Sequence, residues 1–487
     1  MLTFLRTIIR PKPQASLPPL FLRNTLSGEI EEFAPLSRGK VKMYNCGPTV
    51  YDRQHIGNLR PPVVFNVLRR ILDRWGYDVR QVTNITDFGH LASDADEGED
   101  KMSAGLKREG MELSLENMHI LAERYAKLYF EDVRALGVDT DKTAYPRASE
   151  YIPEEIALIQ TLVEKGYAYR AKSGVYFEVS RFAPYGKLGG IDLAGLKHGA
   201  RVKASADKRG PFDFILWKSD KHLGWESPWG KGFPGWHIEC TAMVFKLLGR
   251  QIDIHTGGIE HIPVHHNNEI AQAESASGKR FVRYWLHNDH ITIEGKKISK
   301  SLGNTVYLHN ITDRGFSPLS LRYWFLTAHY RSPSNFTWEA LQGAHTARER
   351  LLRFFFEDLR QVEPGAPDPV FMRDFLAALA RDLDTPSALA RVWELVKDEK
   401  VSTSAKKASL IEADKVLGLG LGDKREMSKL AVVPENELPD DIKKLVDERD
   451  AARAAGEYVK ADELRAAIES RGYELRDTPE GAKVKKK

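Results

Sequence analysis

The apolar residues between Val41 and Trp75 change period partway along. From Val41 to Cys46 apolar and β-branched residues stand at alternating positions. From Val63 onward, Val63, Val64, Val67, Leu68, Ile71, Leu72 and Trp75 recur every three or four. The first spacing predicts a strand entering a core, the second a helix with one buried face. Gly47-Pro48 ends the strand, and Gly76 is placed to end the helix. Tyr77 to Ile85 reads as a second strand, so the stretch is a βαβ unit opening a parallel sheet. His55-Ile56-Gly57-Asn58 falls between strand and helix. Glycine there admits a ligand to the backbone, and a helix start offers unpaired N–H groups to phosphate. Pro61-Pro62 is read as lying in the helix's first turn, where proline is tolerated.

The same reading extends along the chain. Leu20 to Lys42 supplies a lead-in strand or two. Helical patterns around Leu113 to Leu136 and Pro153 to Lys165 precede a β-rich region, Tyr167 to Trp217. A Gly/Pro/Trp-rich segment, Trp225 to Trp236, leads to His237-Ile238-Glu239-Cys240 opening a helix. Ile252 to His255 is a strand, Thr256-Gly257-Gly258 its turn, and a helix runs through Glu269. The two halves are expected to pack as one split parallel sheet. From Leu319 the pattern is almost wholly helical, interrupted by a proline-rich linker, Glu363 to Pro369. Thr385 is read as an N-cap with Pro386 at the first helical position. The C-terminal region reads as two charged helices broken near Gly456, a short β piece and a disordered tail from Val484.

Composition narrows this picture. At 487 residues and 42% hydrophobic content, two to four domains with real cores are expected. No apolar run is long enough to span a bilayer. The net charge of +4 neither demands nor excludes a nucleic-acid partner. Lys197, His198, Arg201, Lys203, Lys208 and Arg209 form a local basic run that could meet phosphates or simply be solvated. Two cysteines in a chain of this size favour a reducing compartment. Residues 1–19 are basic and free of acids; a transit peptide is conceivable, and a poorly ordered extension of a cytoplasmic protein is favoured. The acidic stretch Ser93 to Met102 places Gly98 fifth from Asp94, where a calcium loop needs glycine sixth, so it reads as a solvated loop. A Walker A run is lacking.

His265 and Glu269 lie four apart, so on a helix they share a face and could hold one metal ion, while His266 is expected to point elsewhere. Cys46, Cys240, His265 and Glu269 make a plausible zinc set. Their scatter leaves two inert buried thiols, or one disulfide, as open alternatives.

Lys297-Ile298-Ser299-Lys300-Ser301 resembles the KMSKS signature of class I aminoacyl-tRNA synthetases, and HIGN their HIGH signature. The segments GPTVYDRQHIGN, GWHIECTAM, HHNNEIAQ and KISKSLGN together resemble the cysteinyl-tRNA synthetase family, over about Leu20 to about Gly481. The resemblance implies an α/β fold: a split Rossmann-like catalytic domain at 20–330, with a connective insertion at about 125–235 that contacts the acceptor end of tRNA. It further implies a helical tRNA-binding domain at 331–430 and a small α+β anticodon-recognition region at 431–487. By the same resemblance Cys46, Cys240, His265 and Glu269 hold one zinc ion per subunit, which reads the substrate thiolate. Gly47, Thr86, Trp236, His237 and Glu260 would bind cysteine. His55, Asn58, Lys297 and Lys300 would be catalytic, and His55, Asn58, Lys300, Gly257 and Gly258 would bind ATP, which brings magnesium. The implied activity is ATP-dependent joining of L-cysteine to tRNA(Cys) by a cytoplasmic enzyme, expected to be a monomer.

Several positions depart from the pattern. Asn58 replaces the second histidine of HIGH, and Ile298 replaces methionine. Glu260 stands where aspartate usually holds the substrate ammonium, and Phe88-Gly89-His90 replaces a more acidic run. A related ligase joining cysteine to an amino-sugar would lack the C-terminal helices, and a silent RNA-binding paralogue would tolerate damage to motifs that are intact here.

Overall fold

The computed structural model describes residues 17–89, 101–191, 207–299, 302–423, 425–426, 437–478 and 481–486. Residues 1–16 of the expected extension lie outside the described residues. So do His90, the acidic loop over 93–100, Lys197, His198, Arg201, Lys203, Lys300 and Ser301.

A hairpin of β1 (Phe21–Asn24) and β2 (Glu29–Glu32) leads in. β3 (Lys40–Asn45), α1 (Ile56–Arg74) and β4 (Asp78–Thr83) form the expected βαβ unit, with the two strands parallel. Gly76, at φ +81°, ends α1 in a Schellman turn: its N–H donates to the Asp73 carbonyl at 3.0 Å, and the Tyr77 N–H to the Leu72 carbonyl at 3.1 Å. α2 (Lys101–Arg108) and α3 (Leu115–Ala135) lead to β5 (Thr143–Ala144). α4 (Ile152–Glu164) then leads to an antiparallel sheet of β6 (Ala168–Ala171), β7 (Gly174–Phe177), β8 (Phe214–Ser219) and β9 (Gly232–Pro234). The chain returns through α5 (Trp236–Leu247), β10 (Ile252–Gly258), α6 (His265–Ser277) and β11 (Val282–Asn288). The result is a five-stranded parallel sheet in the order β11-β10-β3-β4-β5, with both halves joined where β10 pairs β3. A smaller sheet beside it is made of β12 (Ile291–Ile293), β13 (Lys296–Lys297) and β14 (Ser334–Phe336).

Helices α7 (Leu308–Thr312) and α8 (Pro318–Leu326) precede β14. Beyond it come α9 (Trp338–Arg353), α10 (Pro369–Ala380), α11 (Thr385–Lys397) and α12 (Thr403–Leu417). α13 (Asp440–Ala454), α14 (Tyr458–Ser470) and a hairpin of β15 (Tyr473–Thr478) and β16 (Gly481–Lys486) complete the chain. Among the described residues no helix is long and apolar enough to cross a membrane.

Three local expectations are corrected. α1 begins at Ile56, so Pro61 and Pro62 lie in its second turn. The Asn58 carbonyl therefore faces prolines at both i+3 and i+4, and neither can donate to it. Packing of the apolar face against the sheet overrides that local cost. The cap of α11 is Asp384, whose carboxylate accepts the Ser387 N–H at 3.1 Å, rather than Thr385. Val484–Lys486 are part of β16, because Val484 pairs with Leu475 and both are buried against α13 and α14.

One continuous apolar core runs from the sheet (Val41, Ile254) into the helices (Phe375, Leu410). Arg322, fully buried on α8, ties the seam. It donates to the carbonyls of Leu417 (2.6 Å) and Leu136 (3.0 Å) and to Asn66 Oδ1 (3.0 Å), so one guanidinium joins α12, α3 and α1. Asp382 ties the N-terminal hairpin to the helices: its carboxylate accepts the Arg23 N–H (2.8 Å), the Tyr330 hydroxyl (2.7 Å) and Arg331 Nε (2.6 Å). Asp382→Ala should lower stability by about 3 kcal/mol, through buried donors left unpaired and strain at a left-handed backbone. Asp382→Asn, which keeps an acceptor and tolerates φ +55°, should lose less than half as much. Thermal unfolding midpoints of the two variants check the ranking.

Candidate active site and metal centre

The carboxyl ends of β3 and β10 lie side by side, which is where an open parallel sheet presents a crevice. Cys46 follows β3 there, its N–H donating to the Thr256 carbonyl at 3.0 Å. Cys240 is in the second turn of α5, which packs on α6. Ligand atoms of Cys46, Cys240, His265 and Glu269 all fall within 4.8 Å of one another. Both cysteines are free thiols, which removes the disulfide alternative. His265 and Glu269 share the predicted helix face, with Nε2 and Oε1 2.8 Å apart. Glu269 Oε1 is buried without an aligned hydrogen bond, whereas Oε2 pairs with His255 Nε2 at 2.7 Å. His265 Nδ1 lies 2.8 Å from His237 Nδ1, which turns Nε2 toward the sulfurs. Two thiols, an imidazole and a carboxylate oxygen are the donor set of a zinc site, and the residues present fit that ion.

The protonation pattern fits a site shaped for a cation. The hydrogen bond from Cys46 holds the Cys240 thiol down to about 6, while burial raises that of Cys46. Burial works against ionising Glu269, yet His255 and His265 hold its carboxyl down to about 2. Burial likewise opposes a charge on His265, but Glu269 and Cys240 push it up to about 10. Metal binding would displace the protons held by Cys46 and His265.

His266, expected to point away, is a correction: its Nε2 lies 3.2 Å from Cys46 Sγ. Together with His255 it forms a second donor set that shares Cys46 and Glu269. The chain of rings continues, His266 Nδ1 to His287 Nε2 at 2.7 Å and His287 Nδ1 to the Thr25 hydroxyl at 2.7 Å. Sequence reading missed His255, His266 and His287. The inward-facing alternation of Ile252-Asp253-Ile254-His255 was the signal for the first; the other two become visible only through the sheet register, which sets His287 opposite Gly257.

A cavity of about 360 Å³ opens in front of the thiols. Cys46, Gly47, Asn58, Trp236, Cys240, Gly257, Gly258, Glu260 and His265 line it. Trp236 stacks on the His265 ring at 4.2 Å. Lys101, near the end of the acidic stretch read as a solvated loop, instead opens α2 and reaches the same wall with Nζ 5.7 Å from the Trp236 ring; sequence reading did not single it out. A side chain at Gly47 would collide with the Asn84 carbonyl. Thr86 and His237 stand behind the wall. Thr86 Oγ1 donates to Glu239 Oε2 (2.8 Å) and accepts from Asn84 Nδ2 (3.2 Å), while Asn84 Oδ1 accepts the Gly47 N–H (2.8 Å). That chain joins the two segments that carry the thiols. Glu260 is half exposed at the rim, 3.7 Å from His290.

The opening of α1 forms another edge. His55 caps the helix, its Nδ1 accepting the Asn58 N–H at 3.3 Å, and Asn58 Nδ2 donates to Gln54 Oε1 at 2.7 Å. Lys297 is exposed at the end of β13, and Ile298 packs over Gly57. Gly57 and Ile298, which belong to signature segments far apart in the chain, thus lie against each other.

The profile of the family described as tRNA synthetases class I (C) catalytic domain matches residues 32–346. Cysteine--tRNA ligase 1 of Burkholderia lata is 45% identical to this chain, over 96% of this chain and 97% of its own. A cysteine--tRNA ligase of Thermus thermophilus is 43% identical, over 95% and 98%. The structure of Mycobacterium tuberculosis methionyl-tRNA synthetase in complex with methionyl-adenylate shares the fold, with a TM-score of 0.54 at 14% identity, over 82% of this chain and 95% of that one. With the profile over most of its length and these relatives over nearly all of it, the chain belongs to the class I aminoacyl-tRNA synthetases, in the cysteine--tRNA ligase family.

Proposed function

We propose that this enzyme activates L-cysteine with ATP to cysteinyl-adenylate and passes the acyl group to tRNA(Cys), selecting its amino acid at a zinc ion held by Cys46, Cys240, His265 and Glu269. What supports this reading most is the convergence of those four donors beside the opening of α1, with their ligand atoms all within 4.8 Å of one another.

The selection problem is cysteine against serine, which differ by one atom. An apolar pocket separates such near-isosteres by only about 10²-fold, short of the roughly 10⁴ that translation needs without editing. Zinc, when bound, supplies a soft centre at which a thiol ionises and binds while an alcohol competes poorly. The protein's part is to hold the donors: His237 orients His265, and His255 and His266 orient Glu269 and Cys46. Trp236 and Gly47 would wall the amino-acid pocket with Thr86 and His237 behind them, and Glu260 is the candidate partner of the substrate ammonium.

Activation needs no general base, because the attacking carboxylate is already an anion. Catalysis is then positioning and the stabilisation of charge growing on phosphate oxygens. His55, Asn58 and the N–H groups at the start of α1 would act from one side, Lys297 and Lys300 from the other. Gly257 and Gly258 would let adenosine lie against backbone, with magnesium accompanying ATP. The insertion sheet would contact the acceptor end of tRNA, α9 to α12 would form a helical tRNA-binding region, and α13 to β16 would recognise the anticodon.

ATP–pyrophosphate exchange with each amino acid in turn, on protein of measured zinc content, should show turnover with cysteine and none with serine; preference for another amino acid would overturn the assignment. Cys240→Ser should lose zinc and cysteine affinity together, which metal analysis and direct binding of cysteine would show. A Cβ at Gly57 would stand 2.8 Å from Ile298 Cδ1 and 3.0 Å from the His55 ring. Both neighbours are side chains, so Gly57→Ala should displace the Ile298 terminus and the His55 ring rather than part the backbones, slowing exchange by less than the about 10²-fold that a 1 Å misplacement costs, with zinc content unchanged.

A further inference from the structure

Arg60, four residues beyond the start of α1, is buried to 1% exposure and has no carboxylate partner among its hydrogen bonds. Its guanidinium meets three backbone carbonyls: Nη1 donates to Asp289 (3.2 Å) and Ser332 (3.1 Å), Nη2 to His329 (2.9 Å). Nε is buried and unpaired. Burial pulls the group down to about 10, so the dry interior disfavours its charge. A buried cation whose hydrogen bonds all go to backbone carbonyls, with the nearby Asp289 charge offsetting only part of the burial, is a costly device, and packing by itself would be served as well by an apolar side chain.

Its three acceptors share one location. Asp289 is in the turn between β11 and β12; His329 and Ser332 are in the segment that leads into β14. These two segments are also bonded to each other, Asp289 N–H to the Tyr330 carbonyl (2.9 Å) and Ser334 N–H to the His290 carbonyl (3.1 Å). They are the base of the β13-β12-β14 sheet, whose β13 ends at Lys297. Farther out, Ile298 packs over Gly57, and the Ile56 N–H donates to the Val306 carbonyl at 2.9 Å.

We infer that Arg60 is a positioning residue for the activation step, fixing the small sheet that carries Lys297 against the phosphate-binding end of α1. This rests on the proposed function for which reaction is affected. A planar fork suits three acceptors at once, where a lysine ammonium is a point charge on a flexible stem. Arg60 touches no substrate; it acts through where Lys297 and Ile298 stand relative to His55 and Asn58. A displacement of about 1 Å between such groups costs about 10²-fold in rate.

The test uses full-length, zinc-loaded wild type, Arg60→Met and Arg60→Lys. Arg60→Met should lower kcat of ATP–pyrophosphate exchange about a hundredfold, with the KM for cysteine and the zinc content unchanged, and Arg60→Lys should recover part of the loss. Backbone hydrogen–deuterium exchange without substrates should quicken over residues 289–298 in Arg60→Met while residues 252–258 keep their protection. Unchanged kcat in a folded variant overturns the inference. So does a fall of kcat, cysteine affinity and zinc content together, which marks a merely structural role. Should wild type fail to activate cysteine, the proposed function falls, and the hydrogen-exchange comparison still decides whether Arg60 holds the sheet.

Discussion

The arrangement depends on bringing two sulfurs to one point at the seam between the halves of a split sheet. Cys46 is carried by the first half and Cys240 by the helix that returns after the insertion. The first half supplies one donor of the four, and Cys240, His265 and Glu269 all come from the second, so the full set exists only where the halves meet. The pairing of β3 with β10 is therefore a functional contact as much as a structural one: Ile254 opposite Met43 and Thr256 opposite Asn45 set the spacing at which the donors converge. A slip of one residue would turn Cys46 to the other face of the sheet.

Around that point the protein surrounds charge with fixed, buried partners. Glu269 is held by His255, Cys46 by His266, and Gly47 by Asn84. Thr86 and Glu239 then link the first thiol segment to the second. Buried polar groups of this kind are stable only when each has its partner, so the network specifies one arrangement. Not every buried polar atom near the site has a hydrogen bond: Glu239 Oε1 and His255 Nδ1 lack one, as does Arg60 Nε, whose guanidinium is already committed to three carbonyls.

Much of this is legible in the sequence for identifiable reasons. The change of apolar period after Gly47 marks the βαβ unit, and a four-residue spacing places His265 and Glu269 on one helix face. What stays hidden depends on contacts between distant segments. Helical geometry alone turns His266 away from the metal, because one helix cannot present adjacent residues to a single point, yet the fold surrounds that helix with Cys46 on a second side. Local propensity assigns the prolines at 61 and 62 to a first turn; an apolar face packed on the sheet outweighs that preference. The tail strand escapes a local reading since its only apolar residue beyond Ala482, Val484, makes sense once Leu475 is set opposite.

The hairpin that precedes the catalytic sheet is easy to dismiss as a lead-in. Here its Thr25 is bonded on two sides, the N–H to the Trp285 carbonyl at 2.8 Å and the hydroxyl to His287. If that hydroxyl donates, each imidazole behind it is left a single tautomer, and the N–H of the last one is aimed at the sulfur. An apparently peripheral turn thereby dictates the direction of hydrogen placement three groups away, and trimming the N-terminus past it would leave the inner rings free to choose either orientation.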